Sequence, residues 1–272
     1  MENKEKRGCE MREEEKKEHD EEQSESTVQE KKAEEAVPKK KRKKRYYILG
    51  AFAAVILIFA LSVLKTIWPF LHIKPVEEKQ LDQLDLGKYH KLMIVAHPDD
   101  EFIWGGEHLL NDDYFVVCIT RGYDKTRSNE FHKMLEKTKD KGLILSYPDK
   151  IGEKRSDWTF CKKKIEKDIE TVLNYKDWDE VVTHNKDGEY GHQHHIMTHQ
   201  LVTDAFDQTG CKSDLYNFGK YYRVEDVPDD LNHISEKDYK KKRKLVFVYK
   251  SQMKTMRKLY HMLPHENWQK MN

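Results

Sequence analysis

The chain has 272 residues and carries 50 Lys/Arg against 49 Asp/Glu, a net charge of +1. That balance argues against a general nucleic-acid binder, which has a clear basic excess. Four scattered cysteines (Cys9, Cys118, Cys161, Cys211) with no CxxC spacing argue against a cysteine zinc site or a disulfide-stapled mini-fold.

Charge is concentrated at the N-terminus. Residues 1–45 hold 15 Lys/Arg and 14 Asp/Glu, leaving 35 of each for residues 46–272. Such a stretch buries too little apolar surface to offset its chain entropy, so a disordered charged tail is expected over 1–45. The rest is neutral overall, and nothing in its composition suggests electrostatic capture of a large anion. The tail ends in the basic run Lys39–Arg45, which alone would suit a nuclear signal or an RNA patch.

The next segment decides how that run is read. Residues 46–64, YYILGAFAAVILIFALSVL, contain no charge and no proline. As a helix they span about 28 Å, close to the hydrocarbon thickness of a bilayer. Tyr46, Tyr47, Trp68 and Phe70 suit interfacial anchors. A buried core helix would show a polar face, and a cleaved signal peptide would have a far shorter charged region. A signal-anchor helix over 46–68 is therefore expected. The basic run puts the N-terminus in the cytoplasm and the remainder outside it. Residues 69–87 read as a short stalk and 88–272 as the working domain.

Beyond the stalk, strand and helix patterns alternate. Leu92–Ala96 is a continuous apolar run, as in a parallel strand buried on both faces. A helix over 102–110 comes next, weakened by Gly105 and Gly106. Further strands are expected at 114–120, 143–145, 180–184 and 244–249. Helices are expected at 127–140, 159–174, 194–207 and 250–262. The Lys-rich stretch 240–244 reads as a solvated turn. This alternation predicts an α/β fold, a Rossmann-like doubly wound, mostly parallel sheet between two helical layers.

In such a fold, ligands sit at the carboxyl ends of the strands. Immediately after the first strand comes His97-Pro98-Asp99-Asp100-Glu101. Imidazole and carboxylate together suit a divalent metal, and His97 and Asp100 are one turn apart. Alone, the same segment also suits a polar turn in which Asp99 or Asp100 caps the next helix. After the 180–184 strand, His184, His192, His194 and His195 fall within twelve residues, with His199 beyond. His192 and His195 can project to one side of a helix start. A histidine-rich surface turn is the alternative. Both clusters open on the same edge of one sheet.

The segments Ala96–Glu101 (AHPDDE) and Gly191–His195 (GHQHH) resemble the two signature motifs of the PIG-L/LmbE-like deacetylases. The first matches letter for letter. The second is usually G-H-P-D-H; here its outer histidines stay while Pro-Asp becomes Gln193-His194. Looser likeness extends to Thr120-Arg121-Gly122 with Arg127 and Glu130, and to Tyr249–Gln252, so that it covers residues 88–262.

The resemblance implies a zinc-dependent hydrolase of N-acetylglucosamine conjugates. His97, Asp100 and His195 would be the metal ligands, leaving an open position for water. Asp99 would be the general base, and His192, when protonated, would stabilise the oxyanion or protonate the leaving amine. Arg127 would hold sugar or phosphate oxygens, or else pair with Glu130 on the surface. His194 and His199 read as supporting or surface histidines, and His184 as orienting the second motif or simply structural. Trp104, Trp158 and Trp178 read as core, and Cys118 as an inert buried thiol.

The expectation is thus a membrane-anchored N-deacetylase whose partners are an N-acetylglucosamine glycan or glycolipid and the bilayer. Zinc is the expected cofactor, though His₂Asp sets accept other divalent ions. A tethered glycan-binding module without turnover has no use for Asp99 or His192. A metal hydrolase of another bond, such as a phosphoester, is disfavoured by the single ligand set. Relatives in glycolipid-anchor biosynthesis work on the cytoplasmic face, whereas the basic run here places the domain on the opposite side.

Overall fold

The computed structural model describes residues 39–272. The charged tail expected over 1–45 lies outside the described residues as far as position 38; from Lys39 onward the chain is already helical. The chain divides between Leu64 and Lys65 into two units. Helix α1 (Lys39–Leu71) contains an apolar span, Lys44–Trp68, long enough to cross a membrane. Its described side chains from Lys44 to Leu64 are all exposed. A water-soluble core helix would hide such residues; a bilayer or a signal-sequence receptor accepts them.

The second unit holds the sheet. After a short helix α2 (Glu78–Asp82), the chain forms β1 (Lys91–Val95), α3 (Asp100–Asn111), β2 (Tyr114–Thr120), α4 (Lys125–Thr138) and β3 (Lys141–Tyr147). A small hairpin comes next, β4 (Lys150–Ile151) with β5 (Lys154–Arg155), then α5 (Lys162–Leu173), β6 (Glu180–Thr183), the one-turn α6 (Gly188–Gly191) and α7 (Gln193–Thr209). The chain ends with β7 (Asp214–Asn217), α8 (Glu236–Leu245), α9 (Met253–Leu259) and β8 (Gln269–Lys270).

The main sheet has the order β3-β2-β1-β6-β7-β8, parallel except for β8. Strand alternation divides its apolar residues between two cores. Leu92 and Ile94 join Phe115, Val117 and Val181 on the face covered by α5 and α7. Met93 and Val95 join Val116, Cys118 and Val182 on the face covered by α3, α4 and the C-terminal helices. Each such side chain contributes roughly 1.5–3 kcal/mol by leaving water. Trp104, Trp158 and Trp178 are buried in these layers, as expected of core residues. From β1 the chain winds outward through β2 and β3, then returns to β6 on the other side of β1. That reversal opens a crevice at the carboxyl ends of β1 and β6.

Three local expectations are corrected. Residues 69–87 are not a free stalk: Phe70, Val76, Leu81 and Leu86 are buried, and the Val76 amide donates to Asp168 Oδ1 at 2.8 Å. Residues 244–249 are helical, finishing α8 and a 3₁₀ turn, so Val246 and Tyr249 face the core while Phe247 is exposed. A short apolar run fits either a strand or a buried helical turn, and length alone does not separate them. The sheet is extended instead by β7, which buries Leu215 and Asn217, and by the exposed β8. The Lys-rich stretch is no solvated turn either, because Lys242 is fully buried.

Lys242 is there because α3 is broken. Gly105 has non-helical angles (φ −139°, ψ 18°), and a Cβ on it would lie 2.7 Å from Met93 Cε. The break frees two carbonyls that a helix would have used. Lys242 Nζ donates to Ile103 O at 2.8 Å, and Trp268 Nε1 donates to Trp104 O at 2.8 Å. Lys242 also pairs with buried Glu266, which accepts from the Glu107 amide at 2.7 Å and lies 3.0 Å from His108 Nδ1.

Candidate active site

The first motif turns sharply from β1 into α3. Asp99 sits at φ 137° and ψ −29°, a backbone conformation that side chains other than glycine's rarely adopt. Its amide is held by Glu101 Oε2 at 3.0 Å, and Glu101 in turn accepts from the Tyr249 hydroxyl. Asp99 makes no side-chain cap for α3. The strain therefore serves to aim the carboxylate away from the helix. Burial pushes the Asp99 carboxyl up to about 7, against the pull of Arg127. Arg127 Nη2 donates to Pro98 O at 2.6 Å and lies 3.3 Å from Asp99 Oδ1. Arg127 is thus a buried partner of Asp99, and its Nε has no partner among the described residues. Glu130 is bound instead to Ser251, through its amide at 2.8 Å and hydroxyl at 2.5 Å.

The second motif comes after β6, through the α6 turn. Gly188 has φ 65°, and a Cβ there would meet Ile196 Cγ1 at 2.7 Å, so the turn needs glycine. His192 caps α7, its Nδ1 accepting from the His194 amide at 3.2 Å. His195 lies one turn in, fully buried, with Nδ1 against Glu189. Glu189 also takes His184 Nδ1 at 3.0 Å, while His184 Nε2 accepts from the Ala96 amide at 3.0 Å. His199 Nδ1 reaches only the His184 carbonyl, at 2.8 Å.

The two motifs meet at Asp100. Its Oδ2 lies 3.1 Å from His97 Nδ1 and 3.2 Å from His195 Nε2. The His195 contact is close but misaligned, and Nε2 has no hydrogen-bond partner among the described residues. Two atoms that approach without facing each other can both face a third point. His97, Asp100 and His195 form one of three donor groups whose atoms lie within 4.8 Å of one another. In His184/Glu189/His195 the Glu189 and His184 contacts satisfy each other. In His97/His192/His194, His194 Nε2 is spent on Ser156 O at 2.7 Å and His192 Nδ1 on the His194 amide. Of the three, only the first includes a buried donor atom with no hydrogen-bond partner among the described residues, His195 Nε2.

Electrostatics favour a cation at the same point. Burial opposes charge on His195, but Asp100 and Glu189 outweigh it and lift the imidazole to about 10. Burial likewise opposes charge on Asp100, yet His195 and the neighbouring imidazoles hold it well below the usual carboxylate range. A divalent ion would take the place of that proton, since ligation needs the unprotonated imidazole. The residues therefore fit a metal with two nitrogen donors and one carboxylate. His192 is the opposite case. Burial, with His97 and His195 beside it, drives its pKa strongly down and keeps the ring neutral.

A cavity of about 520 Å³ opens above this point, lined by His97, Asp99, Asp100, Arg127 and His192. Arg121, Lys150, Arg155 and Lys258 stand around it. The neutral composition thus hides a locally basic rim. Asp149 was legible but missed. It directly succeeds Pro148 beyond the end of β3, on the carboxyl edge where ligands sit in such a fold. Its Oδ1 lies 3.6 Å from His97 Nε2, and Arg121 Nε donates to its Oδ2 at 2.9 Å. Burial opposes charge there too, but His97 and then Arg121 hold the Asp149 carboxyl far below its ordinary range. Glu189 lay inside the histidine-rich stretch without a role; no pattern in the sequence marks it as the bridge between two imidazoles.

Comparison with known proteins identifies the family. The profile of the PIG-L family, described as GlcNAc-PI de-N-acetylase, matches residues 92–206. An uncharacterized protein, L374, of Acanthamoeba polyphaga mimivirus is 32% identical over 197 residues, covering 66% of this chain and 79% of that protein. Among solved structures, a deacetylase–bog complex from the biosynthesis pathway of teicoplanin superposes with a TM-score of 0.50 at 16% identity, covering 61% of this chain and 86% of that one. At that identity the match speaks for the fold alone.

Proposed function

The chain belongs to the PIG-L family, and from that premise we propose that it is a metal-dependent N-deacetylase acting on an N-acetylglucosamine-type conjugate. One observation carries the reading: His97 and Asp100, whose donor atoms converge with that of His195 behind them, line the same cavity as Asp99 and His192.

His97, Asp100 and His195 would hold the ion, zinc or another divalent metal. When bound, such an ion supplies Lewis-acid polarisation and a lowered water pKa. The chain's own residues do the rest. Asp99, strained toward the cavity and poised near neutrality by burial, takes a proton from the attacking water. Arg127 holds that carboxylate in place and keeps further N–H groups for the substrate. His192, neutral and with Nδ1 already accepting, offers Nε2–H to the oxyanion. This differs from the protonated His192 expected from the motif, because its buried histidine neighbours disfavour the charge. Asp99 then returns its proton to the nitrogen as the C–N bond breaks. Acetate and a free amine leave.

The basic rim suits a substrate with an anionic group on the aglycone side. The apolar span of α1 would hold the enzyme at a bilayer, N-terminus in the cytoplasm and domain outside, as a single-pass protein acting on surface or lipid-linked glycans. The test is acetate release by the full-length protein in detergent from a panel of free N-acetylglucosamine, oligosaccharides, an inositol glycoside and a glycolipid. Each is run with zinc and with a chelator. Chelator-sensitive release from one member supports the reading and identifies the aglycone; metal bound with no release from any member counts against turnover.

A further inference from the structure

His194 stands where the second motif usually carries Asp, and its surroundings give it a definite task. We propose that His194 is a positioning residue that fixes the proton of His97 on Nε2 and so presents His97 Nδ1, unprotonated, to the metal set. The inference rests on the proposed metal centre.

The protons can be placed one ring at a time. A carbonyl can only accept, so His194 Nε2, 2.7 Å from Ser156 O, carries its hydrogen. In the neutral ring Nδ1 must then accept, and the donor it meets is His97 Nε2 at 3.1 Å. His97 therefore holds its proton on Nε2, and Nδ1 turns a lone pair toward Asp100 Oδ2, 3.1 Å away. Electron pairs face each other across that gap unless a cation lies between them. The other ligand is prepared in the same way. Glu189 accepts from His195 Nδ1, so Nε2, without a partner among the described residues, is the nitrogen left to face the ion. One ligand is oriented by a carboxylate and the other by an imidazole, the outer contacts that fix ring and tautomer in metal sites.

The environment also accounts for the exchange of Asp for His. Asp149 Oδ1 lies 3.5 Å from His194 Nδ1 and 3.6 Å from His97 Nε2. A carboxylate at position 194 would face that of Asp149, and two buried like charges at such a distance repel. An imidazole offers an acceptor without charge. Trp158 stacks on the His194 ring with centroids 4.5 Å apart and planes 7° apart, holding its orientation.

The experiment measures zinc affinity of the full-length protein in detergent by competition with a chromophoric chelator. His194→Phe keeps a stacking ring but has no acceptor. His194→Asn offers Oδ1 at the place of Nδ1. Zinc affinity should fall about 10–100-fold in the Phe variant and stay close to wild type in the Asn variant. Metal-free melting is measured alongside, because a stacking role alone would move melting and not the Phe–Asn difference. Wild-type affinity in the Phe variant overturns the inference, as does an Asn variant as weak as Phe. Should the Phe variant not fold, the Asn variant decides: near wild-type affinity supports the role, and a loss of about tenfold or more overturns it. A wild-type protein that binds no zinc overturns the metal centre itself, a different failure from zinc-binding protein indifferent to residue 194.

Discussion

At the start of α3, Asp100 is buried against His97 and His195; at its middle, Lys242 is buried against Glu266. The second cluster closes on itself. Lys242 satisfies a carbonyl freed by the Gly105 break, and Glu266 takes an amide and an imidazole besides. Neither Lys242 nor Glu266 lines the cavity at the motifs. The first cluster does not close. His195 Nε2 has no partner among the described residues, the Asp100 contacts are shared, and the space above opens into the basic-rimmed cavity. Burial of charge is costly in both. In one the cost is offset by hydrogen bonds that hold the fold; in the other the proposed ion and substrate would offset it.

The contrast can be broken most directly at Asp99. Asp99→Asn should lower acetate release by about 10²–10⁴-fold, the range for a general base, with bound zinc unchanged. Undiminished turnover in that variant would remove Asp99 from the chemistry. At the closed cluster the expected loss is in folding. Lys242→Met leaves the buried Glu266 charge without its lysine cation, and should cost about 3–5 kcal/mol in denaturant unfolding. The double change Lys242→Met with Glu266→Leu should recover much of that loss. If the double variant is as unstable as the single one, the pair is not what matters there.

Glu189→Gln sharpens the comparison at smaller scale. It keeps the shape but removes the charge joining His184 and His195, so zinc affinity should fall about 10–100-fold in chelator competition. Unchanged affinity would show that the two imidazoles need no carboxylate.

The smallest effect is expected at Asp140, a buried carboxylate that belongs to neither cluster. Its Oδ1 accepts the Tyr114 amide at 2.7 Å, while Oδ2 is unpartnered among the described residues. Burial pushes it up to about 7. Between the unfolded value near 4 and the folded value near 7, the native state binds more protons than the unfolded one, so stability falls as pH rises. Asp140→Asn carries no such slope. Its melting temperature relative to wild type should climb over that window and level off above it. A constant difference across pH would mean that Asp140 titrates normally.

The α/β class and the motif residues were legible because each needs only local sequence. A run such as Leu92–Ala96 declares a doubly buried strand, and His97 to Asp100 lie within one turn of its end. Residues 46–64 declare an apolar span by length alone. The stretch 244–249 fits a strand as well as a helical turn because a short apolar run satisfies two periodicities, and Val246 and Tyr249 share a side only once the backbone turns helically. The docking of residues 69–87 was hidden because Val76 and Leu81 are ordinary apolar residues until a surface receives them.

By itself, then, the sequence determined where the two motifs lie and on which edge of the sheet they stand. The tertiary structure decided their partners. Asp149 reaches His97 because β3, β2 and β1 lie side by side, and Glu189 reaches His184 and His195 only through the positive-φ turn after β6. Lys242 enters the core because α3 breaks at Gly105 more than a hundred residues earlier. Motif spacing is set by the geometry of a single turn, whereas these contacts are set by strand order and by backbone groups left unsatisfied elsewhere, which no local pattern records.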